Sequence, residues 1–298
     1  MKVTFYKLNL LSSIEPFEKY EKIAKSKHKK YRNLLYGTES LKTQTFTNVK
    51  ECYELYETHK EYLERVVPFG EFTPTEKEAL LHCYNGNTKS VRELRDAIIK
   101  NQNIHYTTKC AYCGLGDTNY LDHYLPKDDF PEYAVHSHNL VPSCSYCNEK
   151  KSMLFLDRDG VRKVFNPYFE EVGEEPIINC TLECLDTTIK GHLTIRDDVD
   201  NPVWLNHLST LDLIRRYQNE LPRVLCTIMY DMMIILLEVG ENFKGSKRVI
   251  NRKLKEIERI QGHNSLEAVV YRAYLELDQL FDIKYLRKVY AEMTHLLH

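Results

Sequence analysis

Apolar residues recur at intervals of three and four over much of the first hundred positions. Phe17, Tyr20, Ile23 and Ala24 form one such stripe, and Val49, Cys52, Tyr53 and Tyr56 form another, the period of helices that bury one face. Residues 14–100 therefore read as helical. Thr73-Pro74 ahead of TEKEALLHCY supplies an N-cap and a first-turn proline, Asn85-Gly86-Asn87 supplies a stop, and a further helix is expected at 89–100. From 110 to 159 the pattern changes to short extended pieces, turns and one helix. Beyond it, 178–184 and 192–195 alternate apolar and polar residues, as short strands do. After Pro202 the helical period returns, with helices expected at 206–218, 222–239, 247–260, 265–275 and 283–297 and with Gly240 and Gly262 as stops. The expected fold is mainly α with a small α+β insert: a helical region 1–104, a central module 105–200 that includes the short strands, and a helical domain 201–298.

Composition alters this picture little. A chain of 298 residues, 43% hydrophobic and 28% charged, has the balance of a soluble globular protein with a sizeable core and argues against disorder. A net charge of −2 gives no global positive field, so any contact with nucleic acid must use local patches. Two basic clusters are candidates: KSKHKKYR at 25–32, and a helical face of Arg248, Arg252, Lys255 and Arg259. Neighbouring Glu256 and Glu258 make the second face read equally as solvated surface. The N-terminus lacks the apolar core and cleavage site of a signal peptide, and the longest apolar run, 225–239, is interrupted by Asp231, so a cytoplasmic location is expected.

In such a reducing compartment nine cysteines point to metal or redox chemistry before disulfides. Cys52, Cys83, Cys180, Cys184 and Cys226 sit among apolar neighbours and are expected as small buried hydrophobes. The other four form two Cys-x-x-Cys pairs, Cys110/Cys113 and Cys144/Cys147, separated by 30 residues and flanked by the turn formers Gly114, Gly116, Pro142 and Ser143. Two such knuckles can close a tetrahedral site around Zn2+. A thioredoxin-like redox pair is the rival for either motif alone, and the presence of two copies around one segment weighs against it.

Asp122-His123 and His138-Asn139 lie between the knuckles, and Asn148 follows Cys147 directly. With them the stretch LDHYLPKDDFPEYAVHSHNLVPSCSYCNEKKS resembles the signature of HNH endonucleases, the resemblance spanning residues 110–153. It implies a ββα-metal module embedded between helical regions and stapled by structural zinc on Cys110, Cys113, Cys144 and Cys147. It further implies His123 as general base, Asp122 and Asn148 as ligands of a catalytic Mg2+ or Mn2+, and Asn139 as the residue that ties the strands together. Chemistry supports those residue types, since cutting a phosphodiester calls for a base titrating near neutrality and a hard, oxygen-liganded cation. One geometric condition applies: neighbouring residues of a regular strand face opposite ways, so Asp122 and His123 can share a site only at a strand end or irregularity.

Lys127, Lys150 and Lys151 flank the cluster, either as phosphate contacts or as plain surface lysines. His105, His136 and His138 read as loop histidines outside the site, and FNPYF at 165–169 as core packing. The implied activity is metal-dependent hydrolysis of phosphodiester bonds, in DNA before RNA. The layout is similar to HNH proteins of bacterial anti-phage systems such as Septu and some retrons, which work beside an ATPase partner. The rival reading is a zinc-stapled module that binds nucleic acid or protein without cutting.

Overall fold

The computed structural model describes residues 7–10, 15–104, 107–170, 175–239 and 243–295. In chain order the elements are α1 (Pro16–Lys25), α2 (Lys29–Leu35), α3 (Gln44–His59), α4 (Pro74–Asn85), α5 (Lys89–Lys100), β1 (Tyr120–His123), β2 (Leu140–Ser143) and α6 (Ser145–Lys151). They continue as β3 (Ile178–Cys184), β4 (Ile189–Ile195), α7 (Pro202–Thr210), α8 (Leu213–Val239), α9 (Phe243–Gln261), α10 (Leu266–Glu276) and α11 (Ile283–His295). The described chain is mainly helical, with two antiparallel sheets of two strands each. It forms two compact units. One comprises residues 7–170 and 202–211; the other takes the described residues of 175–201 and 212–295.

In the first unit the expected stripes are buried: Tyr20, Ile23 and Ala24 of α1 and Val49, Cys52, Tyr53 and Tyr56 of α3. Helix α4 begins with a full capping box, the Thr73 hydroxyl accepting from the Glu76 amide while the Glu76 carboxylate accepts from that of Thr73. It ends at Asn85, and Asn87 then takes a left-handed φ of 41° that halts the helical path. Buried tyrosines knit the core. Tyr20 donates to the Leu35 carbonyl, Tyr133 to that of Cys52, and Tyr56 to that of His138; a tyrosine can thus bury its ring and still satisfy its hydroxyl. The FNPYF segment packs inward as expected, with Phe165, Asn166 and Tyr168 buried and Tyr168 donating to the Leu140 carbonyl of β2.

In the second unit the β3–β4 hairpin, in register from Ile178↔Ile195 to Cys184↔Ile189, packs against α8 and α10. The second strand thus begins at Ile189, three residues ahead of the expected 192. Two side-chain amides anchor the hairpin: Asn264 accepts from the amides of Ile177 and Ile178, and Gln218 bonds Leu193 and Gly191. The helix expected at 206–218 is broken instead, because Asp212 has a φ of 49°, which ends α7 and starts α8. Helix α8 then runs through Pro222 rather than starting there; its 27 residues absorb the one amide bond to Gln218 that proline cannot make. Gly262, with a φ of 86°, ends α9 as expected, whereas Gly240 lies outside the described residues. Cys52, Cys83 and Cys180 are buried, but Cys184 and Cys226 are only half-buried. No helix among the described residues is long and apolar enough to cross a membrane.

Candidate functional site

The two knuckles meet in the first unit. Gly114 takes a φ of 68°, the left-handed turn that lets its amide bond back to the Cys110 carbonyl, and the Ala111 amide donates to the Pro142 carbonyl of β2. This brings the first pair against the second, which Cys144 places at the N-terminus of α6 and Cys147 in its first turn. The four sulfur atoms are buried and lie within 4.8 Å of one another, with Cys113 Sγ 3.9 Å from Cys144 Sγ. A disulfide requires about 2.05 Å. A zinc ion with bonds of about 2.3 Å sets its sulfur ligands about 3.8 Å apart, so the cluster fits a structural metal in both donor chemistry and size.

Strand β1 pairs with β2 in the register Tyr120↔Ser143, Leu121↔Pro142, Asp122↔Val141 and His123↔Leu140, then stops. Because His123 is the last residue of the strand, it and Asp122 both line one cavity of about 400 Å³, with Pro126, Lys127, Asp128, Asn148, Glu149, Ser152 and Met153. His123 is buried and its Nε2 lies 2.9 Å from the Ala134 carbonyl, which fixes the tautomer with Nε2–H as donor and leaves Nδ1 as the acceptor. Burial pushes the imidazole down to about 3, well below the near-neutral value expected of it from the sequence, so it is neutral at physiological pH. Tyr84 of α4 packs edge-on against the ring at 4.4 Å.

Helix α6 couples the cysteine cluster to this cavity. Cys144, Cys147 with Asn148, and Lys151 recur at helical spacing, so one short helix and its N-cap supply two of the four clustered thiols, a cavity amide and a buried cation. Lys151 is wholly buried, donating to the His123 carbonyl at 2.7 Å and lying 3.0 Å from Asp122 Oδ2. The same carboxylate oxygen accepts from the Tyr112 hydroxyl at 2.8 Å. Burial pushes the Asp122 carboxyl above its ordinary value, against the opposing pull of Lys151 and Tyr112. Lys151 therefore cannot be a phosphate contact or surface lysine: its ammonium is committed inside the protein. Lys150 is exposed, and Lys127 is half-buried at the cavity beside Asp128 at 3.4 Å.

Asn139 is buried beside this arrangement. Its Oδ1 accepts from the Leu125 amide, and its Nδ2 donates to the carbonyls of Leu125 and Tyr133. It thus ties together the two ends of the long β1–β2 connection, the segment that carries Ala134. His136 and His138 lie in the β1–β2 connection and outside the cavity, as expected, but both are buried beside Glu57 of α3. His105 lies outside the described residues.

The basic clusters are less free than their sequences suggest. Lys27 is buried, capping the last carbonyls of α4 by donating to His82 and Cys83, while Lys25 pairs with Glu21 and Glu39. Of the α9 face, Arg259 pairs with Glu256, and beside that face Lys247 pairs with Asp278 and Lys253 with Asp231.

Among characterised proteins, the chain is 39% identical over 64 residues to Protein ea31 of Escherichia phage lambda, which is 21% of this chain and 22% of that protein. It is 27% identical over 185 residues to the Septu protein PtuB of Bacillus thuringiensis, 54% of this chain and 62% of that protein. The chain thus covers less than two thirds of either relative and is a distant homologue of the Septu protein over about half its own length. No family model matches, and no solved structure matches.

Proposed function

We propose that the first unit is an HNH-type nuclease module, β1, β2 and α6 forming its ββα core, that hydrolyses phosphodiester bonds as part of an anti-phage defence system. The observation that carries this reading is the shared cavity: Asp122, His123 and Asn148 line it together, at a strand end and the adjoining helix, with the His123 tautomer fixed by Ala134. Distant homology to a Septu protein is consistent with the defence role; an ATPase partner is what the resemblance to HNH proteins of anti-phage systems implies.

In this reading His123 Nδ1 takes the proton from the attacking water, and Lys127 at the rim meets the phosphate. Asn139 acts at one remove, holding the connection that holds His123. Asp122 and Asn148 would hold a divalent cation, their oxygen donors matching a hard ion such as Mg2+ or Mn2+, with Asp128 and Glu149 adding negative charge to the same cavity. Such an ion supplies charge stabilisation at the phosphate and the leaving oxygen. Double-stranded DNA is the first substrate to test, RNA the second.

One observation favours a module that binds without cutting. Lys151 already neutralises Asp122, so the carboxylate's charge is partly committed before any cation arrives. Incubating the full chain with plasmid, linear DNA and RNA, with Mg2+, Mn2+ or EDTA and alone or with its candidate ATPase partner, separates the two. Divalent-dependent cleavage that His123→Ala abolishes supports the nuclease; binding without any cleavage supports the second reading.

A further inference from the structure

A second cluster of ligand-type side chains lies in the first unit, outside the cavity described above. Glu57 Oε1, in the last turn of α3, is 3.0 Å from His138 Nδ1 and 3.6 Å from His136 Nε2. One donor atom from each of the three falls within 4.8 Å of the other two. A tetrahedral ion with bonds of about 2.0–2.1 Å sets its nitrogen and oxygen ligands about 3.3 Å apart, and the separations of 3.0 and 3.6 Å bracket that value.

The surroundings call for an occupant. His136 is wholly buried, yet neither ring nitrogen has a hydrogen-bond partner, and the same holds for Nε2 of the buried His138. Ring nitrogens buried without a partner are costly, and native interiors rarely leave them so. The rings of Tyr56 and Tyr53 approach His136 at 4.1 and 4.5 Å, and Phe169 approaches His138 at 5.6 Å, so the walls are aromatic. Glu57 meets His138 through its Oε1 oxygen. Its other oxygen, Oε2, faces Lys60 at 3.4 Å, leaving Oε1 for the cluster.

We infer that Glu57, His136 and His138 form a second metal site, separate from the four cysteines, that takes a borderline first-row dication of the Zn2+ class. Two imidazoles and one carboxylate suit such an ion, with a fourth position for water. The ion would pin α3 to the β1–β2 connection two residues from Ala134, whose carbonyl fixes His123. The inference does not depend on nuclease activity, because it concerns how this connection is held.

The test uses the full chain, stripped of metal and titrated with Co2+, and zinc analysis of the protein reconstituted with Zn2+. Two kinds of equivalent are expected: one with thiolate-to-metal charge-transfer absorption from the cysteines, and one with ligand-field absorption alone. The double variant His136→Asn/His138→Gln should keep the first and lose the second, and its zinc content should fall from about two per chain to about one. Glu57→Gln, a near-isosteric change on a part-exposed side chain, should weaken the second equivalent roughly tenfold or more and so decides the matter if the double variant does not fold. A wild-type chain that takes up only the thiolate-bound equivalent overturns the inference. A second equivalent unchanged in Glu57→Gln, or retained by the histidine variant, overturns it too and assigns that ion to the Asp122 cavity.

Discussion

The Lys151 ammonium lies 3.0 Å from Asp122 Oδ2 with no exposure to solvent, and the Tyr112 hydroxyl meets the same oxygen. A buried carboxylate is thus held by two donors, one from the first knuckle and one from the last turn of α6. Removing one partner of such a pair leaves an uncompensated charge indoors. Lys151→Met is expected to lower unfolding stability by about 3–5 kcal/mol. The double variant Asp122→Asn/Lys151→Met should recover much of that loss, since no lone charge remains. Urea denaturation of the four proteins in the cycle measures the coupling, and additive losses would mean that the pair contributes nothing specific.

Lys127 and Lys150 differ from Lys151 in reaching solvent. If they meet phosphates, each alanine substitution should weaken nucleic-acid binding evenly across sequences and reduce the salt slope by about 1. Affinity measured against potassium chloride concentration reads this directly. An unchanged slope in both variants would place the phosphate path elsewhere on the protein.

The difference between these lysines also marks what could be read in the sequence. Each Cys-x-x-Cys knuckle, the α4 cap and the stop at Asn85 were legible because each rests on neighbours close in the chain. Helix α8 was not: its passage through Pro222 and the break at Asp212 depend on how the unit packs, which overrides local propensity. Lys151 reads as a surface lysine in NEKKS, because its partner lies 29 residues upstream on another element. Glu57 and His138 meet across 81 residues, with no spacing to announce them. The face of a histidine in an irregular connection cannot be inferred from periodicity, since an irregular segment has none.

The Asn139 side chain makes three hydrogen bonds to backbone groups, all buried. Asn139→Ala leaves the Leu125 amide and two carbonyls without those partners, a loss of about 3 kcal/mol at about 1 kcal/mol per bond. The Leu125 amide should then exchange with solvent much faster. Any cleavage activity should fall as well, since the connection that carries Ala134 would no longer fix the imidazole. Leu125 exchange as slow as in the wild type would show that Asn139 is not what holds this segment.

His207 of α7 is wholly buried, with Nε2 3.0 Å from the Tyr112 carbonyl of the first knuckle, and burial pushes its imidazole down to about 3. In the unfolded chain the same group titrates near 6.5. Below that value the unfolded state binds the proton and the folded state does not. The contribution of His207 is therefore fully present above about pH 6.5 and is lost progressively towards pH 3, reaching about 2 kcal/mol by pH 5. Denaturation midpoints of the wild type and His207→Gln across this range should converge as the pH falls. Parallel curves would show that His207 is not protonated on unfolding.

The four cysteines make the sharpest separation between holding the site and acting in it. Strands β1 and β2 are four residues each and α6 is seven, too little to fix a cavity by apolar burial alone, so a metal on Cys110, Cys113, Cys144 and Cys147 would substitute for core. Cys144→Ser should lose about one metal ion per chain, whereas His123→Ala should keep it, because the imidazole is no part of the cluster. Loss of the metal should also free the Ala111 amide from Pro142 and loosen the β1–β2 ladder, which hydrogen exchange at those residues reads without any assay of activity. Activity should then vanish in both variants for different reasons: in Cys144→Ser with an opened hairpin, in His123→Ala with the hairpin intact. A Cys144→Ser protein that retains its metal content and its slow exchange at Ala111 would refute the clip.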